Sequence, residues 1–271
     1  MSWLLIAALL YPAVVKTEAN LFKEDAWRNR IDTMGEFPVG WEKSKGGPFS
    51  SEEPVWKLYS RKPMSVFWSQ NVKVEKGRRY LVGAWVRRRM ARALVWCYGR
   101  TKDDKPFDQR MYLFGGFNSC LDNYLRPEIK RKLGGDSDAW QLLYRPVEID
   151  KDIAGSLQFK FGIFMSTGEL DIAHPFLVDI TGMELIPHMV EVSGGKRISR
   201  LAVELAGLRD LAWEKKFQKP ADGFSGLIGD ADALRGFNGA NRIDGCMLSV
   251  KYADGSVENV YAPQEGAFLH R

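Results

Sequence analysis

The stretch that decides the fold is residues 66–88, VFWSQNVKVEKGRRYLVGAWVRR. Apolar and polar side chains alternate from Val66 to Val74, a turn follows at 75–77, and the alternation resumes from Arg79 to Arg88. A period of two is the pattern of a strand with one buried face, whereas a helix repeats its apolar residues every three to four positions. The stretch therefore predicts two strands joined by a short turn.

Further alternating segments follow, and few segments have helical periodicity. The dipeptide Asp254-Gly255 lies between two of them and is typical of a hairpin, because glycine adopts the positive φ that the turn requires. Residues 200–217 fit a helix or two strands joined at Ala206-Gly207, and we favour the two strands. The other predicted strands are 93–100, 140–149, 157–165, 176–185, 247–252 and 257–261; residues 101–138 are predicted as a loop with a short helix possible at 123–133. This pattern predicts an all-β protein, a sandwich or a barrel.

Length and composition exclude several classes of protein. The chain has 271 residues, of which 45% are hydrophobic and 27% charged, so it is neither a disordered tail nor a collagen-like rod. The net charge of +5 is compatible with an anionic ligand but below that of a dedicated nucleic-acid binder, so we expect no nucleic-acid partner. Three cysteines and three histidines exclude a disulfide framework and a Cys/His zinc cluster, although Cys97 and Cys120 could pair in an oxidising compartment.

The N-terminus carries an apolar run, WLLIAALLYPAVV at residues 3–15. A membrane-spanning helix needs about 20 such residues, so we expect no membrane span. The run has the length of a signal-peptide core, and Thr17 and Ala19 supply small residues for cleavage after position 19. Residues 1–19 are therefore predicted to be a signal peptide, and the protein to be secreted, periplasmic or at the cell surface. The alternative is a buried first strand or helix.

Three groups of residues occur in order along the chain: Asn20-Leu21 with Gly40-Trp41, the strand pair at 69–87, and Trp140 with the later segments 147–149 and 168–180. Together they resemble the jelly-roll carbohydrate-binding modules that accompany secreted polysaccharide-degrading enzymes, in the galactose-binding-like fold. The resemblance implies a jelly-roll β-sandwich over 20–187, followed by a second, smaller β-rich domain over 188–271 for which the sequence indicates no role. It also implies at most one structural calcium ion, with Asp179 as a ligand, and no other cofactor. Those modules carry an acidic residue after an aromatic near the start, whereas this chain has Trp27-Arg28.

Candidate ligand-binding residues follow from the chemistry of sugars. A sugar ring has apolar C–H faces and a rim of hydroxyl groups, so its site needs flat aromatic rings flanked by amides and charged groups. The period-two pattern can place six such side chains on one solvent-exposed sheet face: Trp85, Arg87, Trp96, Tyr98, Gln158 and Lys160. The alternative is that Trp85 and Trp96 belong to the core, since large aromatic side chains are usually buried. Trp56 and Trp140, near strand ends, are further candidates at the rim.

The expected partner is a polysaccharide or oligosaccharide, and an acidic one if the basic clusters at 87–92 and 130–132 contact it. The residues form no catalytic pattern: His174, His188 and His270 are scattered, and the paired carboxylates lie in predicted loops. We therefore expect an exported, non-catalytic carbohydrate-binding protein. The alternatives are a glycoside hydrolase or polysaccharide lyase, or the non-catalytic N-terminal part of one, and a cell-surface adhesion or structural β-sandwich that binds a protein.

Overall fold

A computed structural model describes residues 20–31, 39–89, 91, 93–112, 137–182, 189–205, 211–227, 246–262 and 266–270. Within these ranges the chain forms strands, one 3-10 turn at Glu24–Ala26 and no α-helix, which confirms the predicted all-β class. No helix in the described part is long and apolar enough to cross a membrane. The strands are β1 (Arg28–Ile31), β2 (Val39–Lys45), β3 (Pro54–Val72), β4 (Arg79–Arg89), β5 (Ala93–Arg100), β6 (Pro106–Tyr112), β7 (Ser137–Glu148), β8 (Leu157–Asp179), β9 (Met189–Ser193), β10 (Ile198–Leu205), β11 (Leu211–Ala221), β12 (Phe224–Leu227), β13 (Cys246–Tyr252), β14 (Val257–Ala262) and β15 (Gly266–His270).

Two long strands, β3 and β8, pair along most of their length and belong to both layers of the sandwich. Their pairing shifts register between Ser60 and Val66, and β8 has positive φ angles of 47° at Met165 and 127° at Gly168 in the same region. Such irregularities bend a strand without ending it. The first layer has the order β6, β5, β8 (157–163), β3 (66–72) and β1, and the second begins β2, β3 (54–60), β8 (168–179), β4 and β7.

The core lies between these two layers. Alternate residues of each strand point inward, and side chains from both layers belong to one buried cluster. Removing each large apolar side chain from water contributes about 1.5–3 kcal/mol, so the cluster is the main source of stability. This packing confirms the predicted sandwich. The first layer contributes Trp68, Val95, Phe159 and Phe161, and the second contributes Leu58, Val82, Leu170 and Ile172.

A second buried cluster covers the outer face of the second layer. It contains Trp85, Trp140 and Phe176, and the ring of Phe49 packs edge-on against Trp85 with 5.2 Å between centroids. The segment that leads from β2 into β3 therefore covers this face through Phe49, and Trp85 is 5% exposed. The sequence allows two interpretations of Trp85, a ligand-binding residue on an exposed face or a core residue, and the structure places it in the core.

Several predicted boundaries differ from the observed ones. The strands predicted at 157–165 and 176–185 are one strand, β8, because the polar residues between them lie in a bend. The predicted loop at 101–138 contains β6, and β3 begins at Pro54, well before Val66. The hairpin around Gly255 is confirmed, with a φ of 85°, and so is the choice of two strands for 200–217. The possible helix at 123–133 lies outside the described residues.

Strand pairing crosses the predicted domain boundary at residue 187. Strand β15 pairs with β7, with His270 opposite Trp140, and continues the second layer through β9 to β12. Strands β11, β10, β13 and β14 form a separate four-stranded sheet. The division into 20–187 and 188–271 stays a prediction, and hydrogen bonding does not separate the two parts.

Candidate functional site

The six predicted ligand-binding residues divide between two faces, so the prediction of one shared face is wrong. The cause is the bend in β8: its first half pairs with β5, and its second half pairs with β4 in the other layer. A common period-two pattern therefore does not bring β4 and β5 onto one surface. Trp96, Tyr98, Gln158 and Lys160 lie on the outer face of the first layer, and Trp85 and Arg87 lie on the outer face of the second.

Four polar or aromatic residues form an in-register row on the outer face of the first layer. Asn71 lies opposite Gln158, Gln158 opposite Tyr98, and Tyr98 opposite Asp108, on strands β3, β8, β5 and β6. Strands are about 4.8 Å apart, so the row spans roughly 14 Å. Tyr98 is 36% exposed, Asn71 and Asp108 are exposed, and Gln158 is half-buried. We call these four residues the Tyr98 row; within the described residues the Asn71 and Gln158 side chains have no hydrogen-bond partner.

A second row lies beside the first and is more buried. Lys160 lies opposite both Ser69 and Trp96, and its Nζ is 3.8 Å from the centroid of the Trp96 ring. The side chain of Lys160 is buried and also lies near Tyr98, at 5.4 Å from that ring. The Nε1 of Trp96 donates a hydrogen bond of 2.7 Å to Asp108. This second row fixes Trp96 and the Asp108 carboxylate, and thereby the edge of the Tyr98 row.

An apolar cluster lies beside the second row on the same face. Phe67, Leu94 and Phe164 form this buried cluster, and Trp96 packs against it. Phe67 lies opposite Gly162, and a Cβ on that glycine would meet the Val66 carbonyl oxygen and approach the Phe67 Cα to 2.7 Å. The glycine therefore permits close packing of β8 against β3 at this cluster.

The predicted basic cluster at 87–92 begins within strand β4, and two of its arginines, Arg87 and Arg89, contact carboxylates. Arg87 donates hydrogen bonds from Nε and Nη2 to Asp171, at 3.0 and 2.8 Å, and its guanidinium lies 4.8 Å from the centroid of Trp140. Arg89 pairs with Glu169 at 3.3 Å, whereas Arg88 points inward and is buried. Arg87 and Arg89 face neighbouring carboxylates, so they add little net positive charge to the second layer. The other basic cluster, 130–132, lies outside the described residues.

The residues around Asp179 do not fit a calcium site. Asp179 accepts a hydrogen bond from the Thr181 backbone and lies 3.4 Å from the Arg78 guanidinium. Burial alone would raise the pKa of Asp179, but these partners lower it overall. Arg28 donates to the carbonyl oxygens of Asp25 and Trp27, and no group of three His, Cys, Asp or Glu side chains in the described part is arranged to hold a metal. Calcium needs six to eight oxygen ligands, and cationic side chains already contact these oxygens.

Of the two cysteines that could pair, Cys97 and Cys120, the structure describes only Cys97. Cys97 is a buried free thiol on the inner face of β5, and burial raises its pKa well above the usual value. Such a thiol is inert, because the reactive species is the thiolate. Cys120 lies outside the described residues.

Sequence reasoning missed Asn71 and Asp108. The alternation of the predicted strand places Asn71 on the same face as Phe67, so its face could be predicted. The pairing of Asn71 with Gln158 could not, because it depends on the register between two strands. Asp108 lies in β6, within the segment predicted as a loop. The alternation in PFDQRMY is short and has two charged residues, so it gives a weak strand signal.

No protein-family model matches the chain, and no curated protein matches it. Solved structures similar in fold include the enzymatically active domain of tailspike protein 4 from bacteriophage CBA120, with a TM-score of 0.42 and 10% identity over 60% of this chain and 22% of that one. A family 4 carbohydrate-binding module gives 0.32 and 10%, covering 51% and 86% of the two chains. The first family 22 module, a xylan-binding domain from Paenibacillus barcinonensis Xyn10C, gives 0.38 and 9%, covering 58% and 86%. The chain thus spans less than a quarter of the tailspike domain, and these are similarities of fold.

Proposed function

We propose that this protein is an exported, non-catalytic carbohydrate-binding protein that holds a polysaccharide or oligosaccharide along the Tyr98 row. The observation that carries the proposal is the row itself: two amides, an aromatic ring and a carboxylate in register across four strands. Neighbouring strands fix the spacing of these groups, so the site needs little reorganisation on binding.

Each member of the row has a chemical task that suits a sugar chain. The exposed ring of Tyr98 offers a flat apolar surface for the C–H face of a pyranose. The amides of Asn71 and Gln158 both donate and accept hydrogen bonds, and the Asp108 carboxylate accepts them from hydroxyl groups. A row of roughly 14 Å exceeds the width of one ring, which favours a chain over a single sugar.

Charged residues of both signs lie beside the row. Asp108 is an exposed carboxylate at one end, the ammonium group of Lys160 is buried against Trp96, and Arg110 lies opposite Trp96 on β6. The test of the proposal therefore includes neutral and acidic polysaccharides.

Export is part of the proposal and rests on the apolar run at 3–15 with small residues at 17 and 19. Cleavage there would make Asn20 the first residue. Asn20 is well placed for this, since its side chain donates to the Pro175 carbonyl oxygen and accepts from the Leu177 backbone, which ties the start of the described chain to β8.

The proposal is tested by binding to a panel of neutral and acidic polysaccharides in affinity gels, together with release of reducing ends from the same panel. We expect retardation by at least one polysaccharide of the panel, no release of reducing ends, and weaker retardation of the variant Asn71→Ala/Gln158→Ala. Retardation by no polysaccharide, or an unaltered double variant, would contradict the proposed site. Release of reducing ends would show a hydrolase instead.

A further inference from the structure

The outer face of the first layer carries more positive than negative charge. Among the described residues, strand register places one acidic residue on this face, Asp108. The basic residues on the same face are Arg28, Arg30, Lys73, Arg100, Arg110 and Lys160. The second layer differs, because charges of opposite sign alternate along a row of its outer face, formed by Glu42, Lys57, Asp171 and Arg87. The positive charge is therefore a property of one face of the sandwich.

Lys73 directly follows β3 and lies on the same face as Asn71. Val72 belongs to the core and Val74 packs against it, so the side chain of Lys73 between them points outward, as that of Asn71 does. Two residues of extended chain span about 7 Å, so Lys73 lies directly beside the Tyr98 row. Lys73 is exposed and forms no ion pair within the described ranges. Its ammonium group is therefore available to a ligand on the row.

Arg28 lies on the other side of Asn71. It is opposite Ser69 on β1, so Arg28 and Asn71 are diagonal neighbours across two strands, about 7–8 Å apart. The Nη1 atom of Arg28 donates to the carbonyl oxygens of Asp25 and Trp27, which are uncharged groups. In the described part of the chain the exposed Arg28 side chain forms no ion pair, with the nearby Asp25 carboxylate or with any other. It therefore keeps its full positive charge.

The two ends of the Tyr98 row differ in charge. At the Asn71 end, the cations of Lys73 and Arg28 are not neutralised by an ion pair in the described structure. At the other end, the carboxylate of Asp108 accepts a hydrogen bond of 2.7 Å from Trp96. The cation nearest to that end along β5, Arg100, lies 2.8 Å from a carboxylate oxygen of Asp104. An anionic group on a ligand is therefore attracted to the Asn71 end.

We propose that the Asn71 end of the row binds the carboxylate or sulfate group of an acidic glycan, between Lys73 and Arg28. This inference rests on the proposed function and names the class of polysaccharide. The Lys73 ammonium group and the remaining N–H groups of Arg28 donate charge-assisted hydrogen bonds to the anionic oxygens, and the Asn71 amide donates another. Both cations lie within the Debye length of about 10 Å at 0.1 M salt, so they act on the same group. The neighbouring sugar rings lie along Gln158 and Tyr98.

The test compares the affinities of the full chain for pairs of polysaccharides that share a backbone and differ in charge. The pairs are polygalacturonate with its methyl ester and dextran sulfate with dextran. We expect at least one acidic member to bind about tenfold more tightly than its neutral counterpart at low salt, the effect of two charged contacts. The advantage should shrink as salt is added, because salt screens exposed charges.

Charge variants assign the preference to the Asn71 end. Lys73→Gln and Arg28→Gln should each weaken binding of the acidic member by up to about fivefold, the effect of one exposed ion pair, and leave binding of the neutral member unchanged. Lys73→Glu should weaken the acidic member further. Lys57→Gln is the matched control, because it removes the same charge from β3 in the second layer. It should bind both members like the native protein.

Several outcomes overturn the inference. These are equal or weaker binding of both acidic members, native affinity of Lys73→Gln for them, and tighter binding of a single-stranded thymidine oligonucleotide than of either acidic polysaccharide. If a neutral polysaccharide binds in those cases and Tyr98→Ala weakens it, the proposed function stands without the inference. If Lys73→Gln weakens an acidic polysaccharide and Tyr98→Ala does not, the positive end binds the anion and the glycan does not follow the Tyr98 row.

Discussion

At the scale of single residues, the structure separates tryptophans that have the same pattern in the sequence. Trp85 shares a strand face with Gly83 and Arg87, and Trp96 shares one with Tyr98 and Arg100, in neighbouring predicted strands. Trp85 nevertheless packs against Phe49 in a buried cluster that includes Trp140, whereas Trp96 is half-buried beside Lys160 and Tyr98. Whether an aromatic residue in a strand is buried or exposed depends on what covers its face of the sheet. For Trp85 the covering residue is Phe49, which lies in a loop outside the alternating strands.

Truncation of Trp85 should therefore affect stability and leave ligand binding intact. Trp85→Ala empties a buried site and should lower the free energy of unfolding by about 3–5 kcal/mol, measured by denaturant titration. Glycan affinity of the folded fraction should equal that of the native protein. A small loss of stability with a large loss of affinity would return Trp85 to the list of ligand-binding residues.

The Glu53–His174 pair should make stability depend on acid. Burial alone would raise the pKa of Glu53, but the hydrogen bonds from His174 and the Phe49 backbone lower it overall, below its usual 4.5. The ionised carboxylate thus stabilises the fold above the unfolded pKa, and this contribution is lost as the pH falls through the folded pKa. We expect Glu53→Gln to lower stability by about 1.5–3 kcal/mol at neutral pH and to converge with the native protein in acid. If plots of Tm against pH for Glu53→Gln and the native protein run parallel down to acid pH, this prediction is wrong.

At the scale of elements, the bend in β8 determines which strands form the candidate site. It is also the reason that the predicted single face for all six residues is wrong. The alternation of 157–163 shows which side chains share a face, and this part of the prediction is confirmed for Gln158 and Lys160. The partner of each strand, however, is set by the bend at Met165 and Gly168. A positive φ at a methionine leaves no signal in the sequence, so the assignment of β4 and β5 to different layers could not be predicted.

Gly162 offers a test of this element. Gly162→Ala places a methyl group against the backbone of β3 at Val66 and Phe67, which cannot move aside as a side chain could. We expect a loss of at least about 1–3 kcal/mol in unfolding free energy, the usual cost of overpacking. Glycan affinity should fall too, because Phe67 supports Trp96. An alanine variant with native stability would show that β3 and β8 are less closely packed than described.

At the scale of the whole molecule, the all-β sandwich could be predicted because period-two alternation and turn residues are local properties of the chain. The hairpin at Gly255 and the strands of residues 200–217 were predictable for the same reason. The addition of β15, β9 and β12 to the second layer was not, since it depends on pairing between Trp140 and His270, residues 130 positions apart in the sequence. The Tyr98 row is likewise a product of register between four strands.

The central claim, that a glycan binds along the Tyr98 row, is tested most directly by comparing two tyrosines. Tyr98 is 36% exposed on the first layer, and Tyr59 is 43% exposed on the second. With a polysaccharide that retards the native protein, we predict that Tyr98→Ala weakens binding about tenfold, since a stacked ring contributes on the order of 1 kcal/mol beyond its burial. Tyr59→Ala should bind like the native protein. Equal affinities of the two variants, or a loss confined to Tyr59→Ala, would contradict the account.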